Sequence, residues 1–396
     1  MKNKAVVLGA NYYIGLSIIR CLGIHKISVT AIDYKEEGAY AFKSKYVTEK
    51  LIAPHYNKNP EDLLRFLIQY ARDQELKPVL FPSADPYVEF MDKYLNELKE
   101  CYLIPNIEQG LYTKAMNKET LIELAKKVDT PVPETVSPTE ENYIDKVESI
   151  INFPCLVKPV DSASFVNKFR RKLFKVHNLE QLKKAVKRAD KEGLEVVVQK
   201  IISGFDDHMY TFDAYANEKS KVTHWVTCQK LRQYPINYGA SVYTIQKYVP
   251  EIVDLGKQFL EKIKWKGFAE IEFKKDKRTK KFYLIEVNVR TTNLNVLLFR
   301  SGINMPYVAY QELTGNEETS KVIVEDKKIA FWYAFEDLLA IKDYFKTKQL
   351  SFVNVVCSYF KRKAYAIWDI RDPLPYFAFF RSKVLKPLRQ KLLRNQ

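Results

Sequence analysis

Gly267-Phe-Ala-Glu-Ile-Glu-Phe273 and, further along, Tyr283-Leu-Ile-Glu-Val-Asn-Val-Arg290 are two apolar stretches into which acidic and amide side chains are set. The polar segment Lys275–Lys280 lies between them. Two such stretches on either side of a short polar turn predict a β-hairpin. The acidic side chains on this hairpin are therefore the first candidates for a functional site.

Side chains alternate between the two faces of a strand, so Glu286, Asn288 and Arg290 are predicted to share one face. Glu272 lies on the partner strand, where cross-strand pairing brings it close to them. Neighbouring carboxylates repel each other unless a cation lies between them, and oxygen ligands of this kind suit Mg²⁺. Arg290 could bind a carboxylate with two parallel hydrogen bonds. The alternative interpretation is a hairpin with a charged outer face.

Two lysines upstream are candidates for binding phosphate. Lys158 ends the apolar strand Cys155–Lys158, immediately before a proline. Lys118 lies in the first turn of a predicted helix, where the helix dipole disfavours a cation unless an anion is near. A lysine at a strand end is also commonly solvated, so neither residue decides the question alone.

The connection Gln199–Asp206 follows the predicted strand Glu195–Gln199. A strand that runs out into such a segment offers backbone groups and an apolar wall to a flat base, and Asp206 could bind a ribose hydroxyl. An ordinary connection between strands is the alternative.

The N-terminal residues predict a βαβ unit with the turn Gly9-Ala-Asn-Tyr-Tyr-Ile-Gly15. This turn has only two of the glycines of a dinucleotide fingerprint. A competing hypothesis is an NAD-dependent enzyme with Asp33 at the ribose, but nothing downstream supplies hydride chemistry.

Asp85 follows the predicted strand Pro78–Ser83, where open α/β sheets bind ligands. Capping of the next helix by Ser83 or Asp85 is equally compatible with the sequence.

In order and approximate spacing, these residues resemble the ATP-grasp superfamily: Lys118, Lys158, the Gln199–Asp206 connection, Glu272 and Glu286-Val-Asn288. The resemblance covers roughly residues 1–315 and is nearest to the branch of carboxylate–amine ligases that includes bacterial D-aspartate ligase. It implies an α/β (α+β) protein with the ATP-grasp fold. The implied units are a Rossmann-like N-terminal domain (1–112), a small lobe with flanking segments (113–200), a large lobe (201–325) and a basic, aromatic C-terminal extension (326–396).

The resemblance also implies roles for individual residues. The ATP contacts that it implies are Lys118 and Lys158 at the phosphates, Gln199, Lys200 and Ile202 at the adenine, and Asp206 or its neighbour Asp207 at the ribose. The ligands implied for a pair of Mg²⁺ ions, which Mn²⁺ could replace, are Glu272, Glu286 and Asn288. The implied contacts to the carboxylate, the acyl phosphate or other phosphate groups are Arg290, Lys230 and Arg232.

Two positions depart from the family pattern. Gln199 stands where family members often carry glutamate, although glutamine still accepts a hydrogen bond from an adenine amino group. The segment Asp161-Ser-Ala-Ser-Phe165 has no glycine, whereas the phosphate-covering loop of the family is usually glycine-rich. An ATP-binding regulatory protein that has lost catalysis is therefore the competing interpretation.

Composition narrows the partners and the location. Lysine and arginine outnumber acidic residues by 16 over 396 residues, which favours polyanionic partners such as anionic headgroups or phosphorylated substrates. No nucleic-acid-binding module is recognisable, so none is predicted. Five scattered cysteines without a CxxC pair predict reduced thiols and a cytoplasmic protein. The histidines have no metal-ligand spacing, and neither a signal peptide nor a membrane-spanning run is predicted.

The C-terminal residues 359–396 interleave aromatic side chains with cations. This pattern suits peripheral contact with an anionic membrane surface, which would lie at the inner face of the membrane. A C-terminal helix that packs on the body with solvated lysines is the alternative. The resemblance further suggests a small carboxylate and an amine as substrates, carried on a nucleotide- or lipid-linked precursor in cell-envelope synthesis, and a homodimer.

Overall fold

The N-terminal part of the chain forms a four-stranded parallel sheet in the order β3-β2-β1-β4. The computed structural model describes residues 2–316 and 319–382, apart from the side chains of Ser162 and Ala163. The strands of this sheet are β1 (Ala5–Leu8), β2 (Val29–Asp33), β3 (Val47–Ile52) and β4 (Val79–Pro82). The helices of this part are α1 (Tyr13–Gly23), α2 (Pro60–Arg72), α3 (Asp85–Lys93), α4 (Leu95–Lys99) and α5 (Leu111–Met116). The predicted βαβ opening is confirmed.

The turn between β1 and α1 is closed by its own backbone contacts. Gly9 has a φ of 95°, and a Cβ on Gly15 would lie 2.0 Å from the Gly9 carbonyl oxygen, so neither position has room for a side chain. The buried Asp33 carboxylate accepts a hydrogen bond of 2.8 Å from the Ala10 amide. Asp33 therefore stabilises the turn, which accounts for its position without a dinucleotide.

A small antiparallel sheet follows, in the order β5-β8-β6-β7. Its strands are β5 (Thr135–Val136), β6 (Cys155–Pro159), β7 (Phe174–Val176) and β8 (Val196–Lys200). The helices that precede or connect these strands are α6 (Lys118–Lys127), α7 (Tyr143–Lys146), α8 (Ser162–Phe169) and α9 (Leu179–Asp190). Asn117 caps α6 by accepting hydrogen bonds from the Glu119 and Thr120 amides, which fixes Lys118 as the first helical residue.

The third sheet has eight strands. Seven of them follow the order β13-β12-β9-β10-β11-β15-β16, and β14 pairs with β10. The strands are β9 (Met209–Ala216), β10 (Val222–Tyr234), β11 (Ala240–Gln246), β12 (Gly267–Lys275), β13 (Phe282–Asn288), β14 (Lys321–Val322), β15 (Ile329–Trp332) and β16 (Arg362–Tyr365). The helices are α10 (Pro250–Lys262), α11 (Asn295–Ser301), α12 (Met305–Leu313), α13 (Ala334–Lys346), α14 (Phe352–Tyr359) and α15 (Leu374–Phe380). The predicted hairpin is β12–β13.

The C-terminal segment that the sequence marks as an extension is built into this fold up to residue 382. β15 pairs with β11 and β16 pairs with β15, so both strands continue the large sheet. Arg20 on α1 forms a buried salt bridge of 2.9 Å with Asp372. Ladder hydrogen bonds and this ion pair join the described part of the segment to the body. The basic run Lys383–Arg394 lies outside the described residues.

The buried side chains form separate interiors. Two large clusters combine residues of the N-terminal sheet with residues of the large sheet, such as Leu80 with Phe212 and Val7 with Phe331. The small sheet has its own cluster, which includes Val157. Among the described residues, no buried hydrophobic cluster joins the small sheet to either of the others. No helix in the described ranges is both long and apolar enough to cross a membrane.

Candidate active site

A cavity of about 550 Å³ lies between the small sheet and the large sheet and also reaches the first turn of the N-terminal domain. The structure brings ten of the twelve predicted site residues to its lining. These residues are Lys118, Lys158, Gln199, Lys200, Ile202, Lys230, Glu272, Glu286, Asn288 and Arg290. Cofactor sites are commonly clefts of this size between lobes of a protein.

The acidic side chains of the hairpin meet as its register predicts. Glu272 on β12 pairs directly with Glu286 on β13, and Glu270 pairs with Asn288. Glu272, Glu286 and Asn288 all line the same cavity, which is the geometry that two carboxylates and an amide need to share a cation. Within the described ranges, no group of three His, Cys, Asp or Glu side chains is arranged to hold a metal.

Glu270 is a functional candidate that the sequence interpretation missed. It is buried, accepts a hydrogen bond of 3.0 Å from Asn288 Nδ2 and accepts another of 2.6 Å from Thr292 Oγ1. The bond to Nδ2 fixes the amide so that Asn288 Oδ1 remains for another partner. Partners that orient a ligand in this way raise metal affinity. The position of Glu270, two residues before Glu272 on the same strand, was the available signal.

Lys118 and Lys158 bring positive charge to the hairpin. Lys118 Nζ lies 3.0 Å from Glu286 Oε1. Burial alone would raise the pKa of the Glu286 carboxyl, but Lys118, with Lys172 and Lys158, lowers it to about 2. Burial and the nearby Lys118 lower the pKa of the Lys158 ammonium to about 8. Two lysines that repel each other in a cleft are expected to favour an anion between them.

Lys230 on β10 is almost fully buried and pairs with Glu272 at 2.5 Å. Burial alone would lower the pKa of the Lys230 ammonium, but Glu272 and Glu270 raise it, so the lysine stays charged. Each of the two facing glutamates therefore has a lysine partner, Lys118 for Glu286 and Lys230 for Glu272. A cation that displaces these lysines would leave both ammonium groups free for phosphate.

The predicted adenine residues lie at the other part of the cavity. Gln199 is buried and donates a hydrogen bond of 3.0 Å from Nε2 to Thr135 Oγ1. Its Oε1 remains an acceptor. The apolar side chains that line the cavity include Leu156, Ile202, Met209 and Ile285. An apolar slot beside a hydrogen-bond acceptor suits a flat base that carries an amino group.

The N-terminal domain contributes Asp85 to the cavity. Arg290 forms a salt bridge of 2.7 Å with Asp85 Oδ1, and both residues line the cavity with Tyr12. The residue before α3 is Ala84, and no side chain caps that helix. Of the two interpretations of Asp85, helix capping is therefore wrong, and the position at a ligand-binding edge fits the structure.

Asp206 and Arg232 are the two predicted site residues that do not line this cavity. The buried Asp206 carboxylate accepts hydrogen bonds from Gln233 Nε2, the Asn237 amide and the Tyr344 hydroxyl. These bonds hold Asp206 within the protein and away from the cavity, so the structure does not bring it to where the predicted ribose contact would be. The neighbouring Asp207 does not line the cavity either and pairs with His208.

Arg232 also needs correction as a predicted substrate contact. Its guanidinium forms two hydrogen bonds to Asp337, of 2.6 and 2.8 Å, and stacks over the Tyr243 ring at 4.1 Å. Both members of the ion pair are buried. The partner lies 105 positions away on α13, so no local pattern around Arg232 indicates this contact.

The glycine-poor segment 161–165 leads into α8. The Asp161 side chain accepts a hydrogen bond from the Ser164 amide at the start of that helix. Val166, Asn167 and Lys172 in and after the helix line the cavity. The segment thus lies over the cavity as a helix where the family pattern has a glycine-rich loop.

The three sheets and the cavity between them form the ATP-grasp fold. Residues 127–297 match the family described as D-ala D-ala ligase C-terminus. The chain is similar to D-aspartate ligase from Enterococcus faecium (strain Aus0004), with 27% identity over an alignment of 305 positions that covers 73% of this chain and 72% of that protein. The predicted family resemblance is confirmed.

Solved structures with a similar fold include other ATP-grasp enzymes. N5-carboxyaminoimidazole synthetase from Staphylococcus aureus superposes with a TM-score of 0.62 and 16% identity over 81% of this chain and 80% of that one. L-amino acid ligase from Bacillus licheniformis superposes with a TM-score of 0.61 and 16% identity, and the superposition covers 80% of this chain and 76% of that one. A third similar structure is the biotin carboxylase domain of Hydrogenobacter thermophilus 2-oxoglutarate carboxylase, solved with MgADP and bicarbonate. It superposes with a TM-score of 0.63 and 15% identity over 83% of this chain and 74% of that one. At such identities these similarities support the ATP-grasp fold alone.

Proposed function

We propose that this protein is an ATP- and Mg²⁺-dependent ligase that joins a carboxylate to an amine through an acyl phosphate. The observation that carries the proposal is the meeting of Glu272, Glu286 and Asn288 with Lys118 and Lys158 in one cavity. Phosphoryl transfer depends on positioning and charge neutralisation more than on covalent chemistry, and these groups supply both.

The nucleotide is expected to span the cavity from the apolar slot to the hairpin. Ile202 and its apolar neighbours would contact the adenine, and Gln199 Oε1 would accept a hydrogen bond from its amino group. Lys118 and Lys158 would bind the phosphates as charged donors. Lys200 lines this part of the cavity, although its ammonium donates to the Ile150 carbonyl.

Mg²⁺ fits the oxygen donors of the hairpin. Glu272, Glu286 and Asn288 would hold it, and Glu270 would orient Asn288. We propose a pair of ions, which Mn²⁺ could replace. The bound metal would neutralise charge on the transferring phosphoryl group.

The first chemical step joins the substrate carboxylate to the γ-phosphorus of ATP. A carboxylate oxygen attacks that phosphorus, the bond to the bridging oxygen breaks, and ADP leaves. The amine nitrogen then attacks the acyl carbon, phosphate leaves, and the nitrogen loses a proton. Arg290, which Asp85 holds at the cavity, would bind the carboxylate or the acyl phosphate. Enclosure between the lobes would keep water from the acyl phosphate.

We further propose an amino acid as one substrate, because the similar enzymes include D-aspartate ligase and L-amino acid ligase. The net charge of +16 favours a polyanionic second substrate, such as a nucleotide- or lipid-linked envelope precursor. Reliance on ATP and five unpaired cysteines favour the cytoplasm. A homodimer is compatible with the dimeric biotin carboxylase domain that shares the fold.

A regulatory ATP-binding protein without catalysis is the second candidate. The observation that favours it is the helix α8 where the phosphate-covering loop of the family is glycine-rich. Such a protein would bind MgATP without releasing ADP when acids and amines are added.

A phosphate-release screen separates the two candidates. Full-length protein would be incubated with MgATP and pairs drawn from single amino acids and amine-bearing envelope precursors. Release that requires both an acid and an amine, and that disappears when Glu286 is replaced, is expected of the ligase. MgATP binding without release for any pair would favour the regulatory protein.

The depressed pKa of Lys158 predicts a pH dependence of nucleotide binding. The ammonium is charged below about pH 8 and neutral above it, and a bound phosphate would stabilise the charged form. The MgATP dissociation constant is therefore expected to rise about tenfold between about pH 7 and about pH 9, with proton uptake on binding. Isothermal titration calorimetry in buffers of different ionisation enthalpy measures both quantities.

Two variants control this experiment. Lys158→Gln should bind MgATP more weakly at every pH and lose the proton uptake. Lys127→Gln, at an exposed lysine of α6, should behave as the wild type. An unchanged pH profile in Lys158→Gln would show that another group titrates.

A further inference from the structure

The C-terminal helices carry an unusual share of the exposed apolar surface. Of the 23 large hydrophobic side chains that are exposed among the described residues, 15 lie between Phe335 and Phe380. Scattered single residues of this kind are normal, whereas a concentration of them marks an interaction surface. This surface, which we call the C-terminal apolar face, consists of the outer sides of α13, α14 and α15.

Helix α14 shows the arrangement most clearly. Phe352, Val356 and Phe360 recur every four residues on one side of the helix, and Val353 lies beside them. The exposed fractions of Phe352 and Phe360 are 72% and 85%. The buried residues are Val355 and Ser358, on the opposite side. The side of the helix with Val355 and Ser358 therefore packs on the protein, and the side with the aromatic residues faces outward.

The charges around α14 are arranged at its ends. The helix itself, Phe352–Tyr359, contains no charged residue. Lys348 precedes it, and Lys361 and Arg362 follow it, all of them exposed, while Lys346 on α13 pairs with Asp343. An apolar face with cations at its borders is the pattern of helices that lie in a membrane interface.

The inner sides of α13 and α14 are fixed to the large sheet. Arg232 on β10 bonds to Asp337 on α13 and also donates a hydrogen bond of 3.2 Å to Ser358 Oγ on α14. On α13, Phe335, Leu338 and Phe345 are exposed, whereas Asp337 is buried. Both helices are thus attached to the large sheet through Arg232.

Helix α15 extends the pattern toward the C-terminus. Leu374, Phe377 and Phe380 recur every three residues and are exposed, whereas Phe379 packs against Tyr40. In the sequence after Asp372 there are six lysines and arginines and no acidic residue. By composition alone, this stretch of sequence matches the clusters of four to eight cations that bind anionic lipid.

We propose that the C-terminal apolar face docks on an anionic lipid surface. Phe352, Phe360 and Phe377 would enter the headgroup region, and the bordering cations would contact lipid phosphates. Charge favours lipid over a second copy of the chain, because a second copy would bring the same cations against these ones. The proposal is independent of the ligase chemistry, and it would keep the enzyme beside a substrate that is carried on a lipid.

Vesicle co-sedimentation with the full-length protein tests the proposal. The vesicles would be of neutral phosphatidylcholine, or of phosphatidylcholine with about a third phosphatidylglycerol, at about 0.1 M and about 0.5 M salt. Binding to the anionic vesicles is expected to be at least about tenfold tighter than to the neutral ones and to weaken at the higher salt.

Two sets of substitutions separate the apolar and the charged contributions. Phe352→Ser with Phe360→Ser should weaken vesicle binding at least about tenfold, because two exposed aromatic side chains are lost. Lys361→Gln with Arg362→Gln should reduce mainly the preference for anionic lipid. Ile52→Ser, an exposed apolar residue of β3, is the matched control and should bind as the wild type.

Three outcomes would overturn the proposal. Binding to neither kind of vesicle would exclude a lipid surface, and equal binding to both would exclude the anionic preference. A concentration-dependent dimer in light scattering that the Phe352→Ser and Phe360→Ser changes dissociate would identify a second copy as the occupant. ADP release in solution by these variants should match the wild type, so a failed proposal here leaves the ligase assignment unaffected.

Discussion

Replacing Glu286 by glutamine is expected to lower the rate of carboxylate-dependent ADP release at least about 10²-fold. The substitution keeps the size of the side chain and removes the negative charge that faces Glu272 across the hairpin. It also removes the partner of Lys118, which lies 3.0 Å away. Both the metal site and the phosphate-binding lysine would lose their alignment, so kcat should fall and MgATP should bind more weakly.

The measurement is a coupled assay of ADP release with the substrate pair found in the screen. Glu123→Gln, at an exposed glutamate on the same helix as Lys118, is the matched control and should keep the wild-type rate. Near-normal release by Glu286→Gln would show that the metal assignment is wrong. Unchanged thermal unfolding of the variant would confirm that the loss is not one of folding.

Replacing Arg232 by methionine is expected to destabilise the protein by about 3–5 kcal/mol. The change leaves the buried Asp337 carboxylate without its cation, and among the described residues Trp332 Nε1 is the one side chain that still donates to it, at 2.8 Å. The cation over the Tyr243 ring is also lost. Urea unfolding followed by tryptophan fluorescence measures the effect, and Trp332 itself lies at the substituted contact.

Two further variants sharpen this test. Arg232→Lys keeps the charge but not the paired hydrogen bonds, so its loss should be smaller. Arg232→Met combined with Asp337→Leu removes both charges and should recover much of the stability. If Arg232→Met instead unfolds as the wild type does and raises the KM for a substrate, the substrate contact predicted from the sequence would be right after all.

The hairpin β12–β13 could be predicted from the sequence because the pattern that indicates it is local. Strand alternation places Glu286, Asn288 and Arg290 on one face, and the short turn leaves few possible pairings with Glu272. The observed register joins Glu272 to Glu286 directly. Glu270 was missed because its role is to orient Asn288, and such a role becomes visible only when the hydrogen bond is seen.

Asp206 and Arg232 show where this kind of inference ends. Each follows or lies on a strand that does reach the cavity, but the direction of its side chain depends on partners far along the chain. Tyr344 bonds to Asp206 from 138 positions away, and Asp337 bonds to Arg232 from 105 positions away. Spacing in the sequence contains no information about such contacts.

The C-terminal segment was predictable only in part. Its aromatic and basic composition pointed to a surface role, and the exposed sides of its helices agree with that composition. The strands β15 and β16 could not be predicted from this composition, because their hydrogen bonds to the large sheet depend on pairing with strands distant in the sequence. Short strands of this kind become recognisable only through their neighbours.

The separate interior of the small sheet has a consequence for how the molecule behaves between turnovers. A lobe that shares no core with its neighbours can fluctuate and even unravel without disturbing them, at a fraction of the free energy of global unfolding. Amide protons of β6 and β8 should therefore exchange with solvent faster than those of β9. A nucleotide that contacts both lobes would hold the small lobe against the large one and slow that exchange.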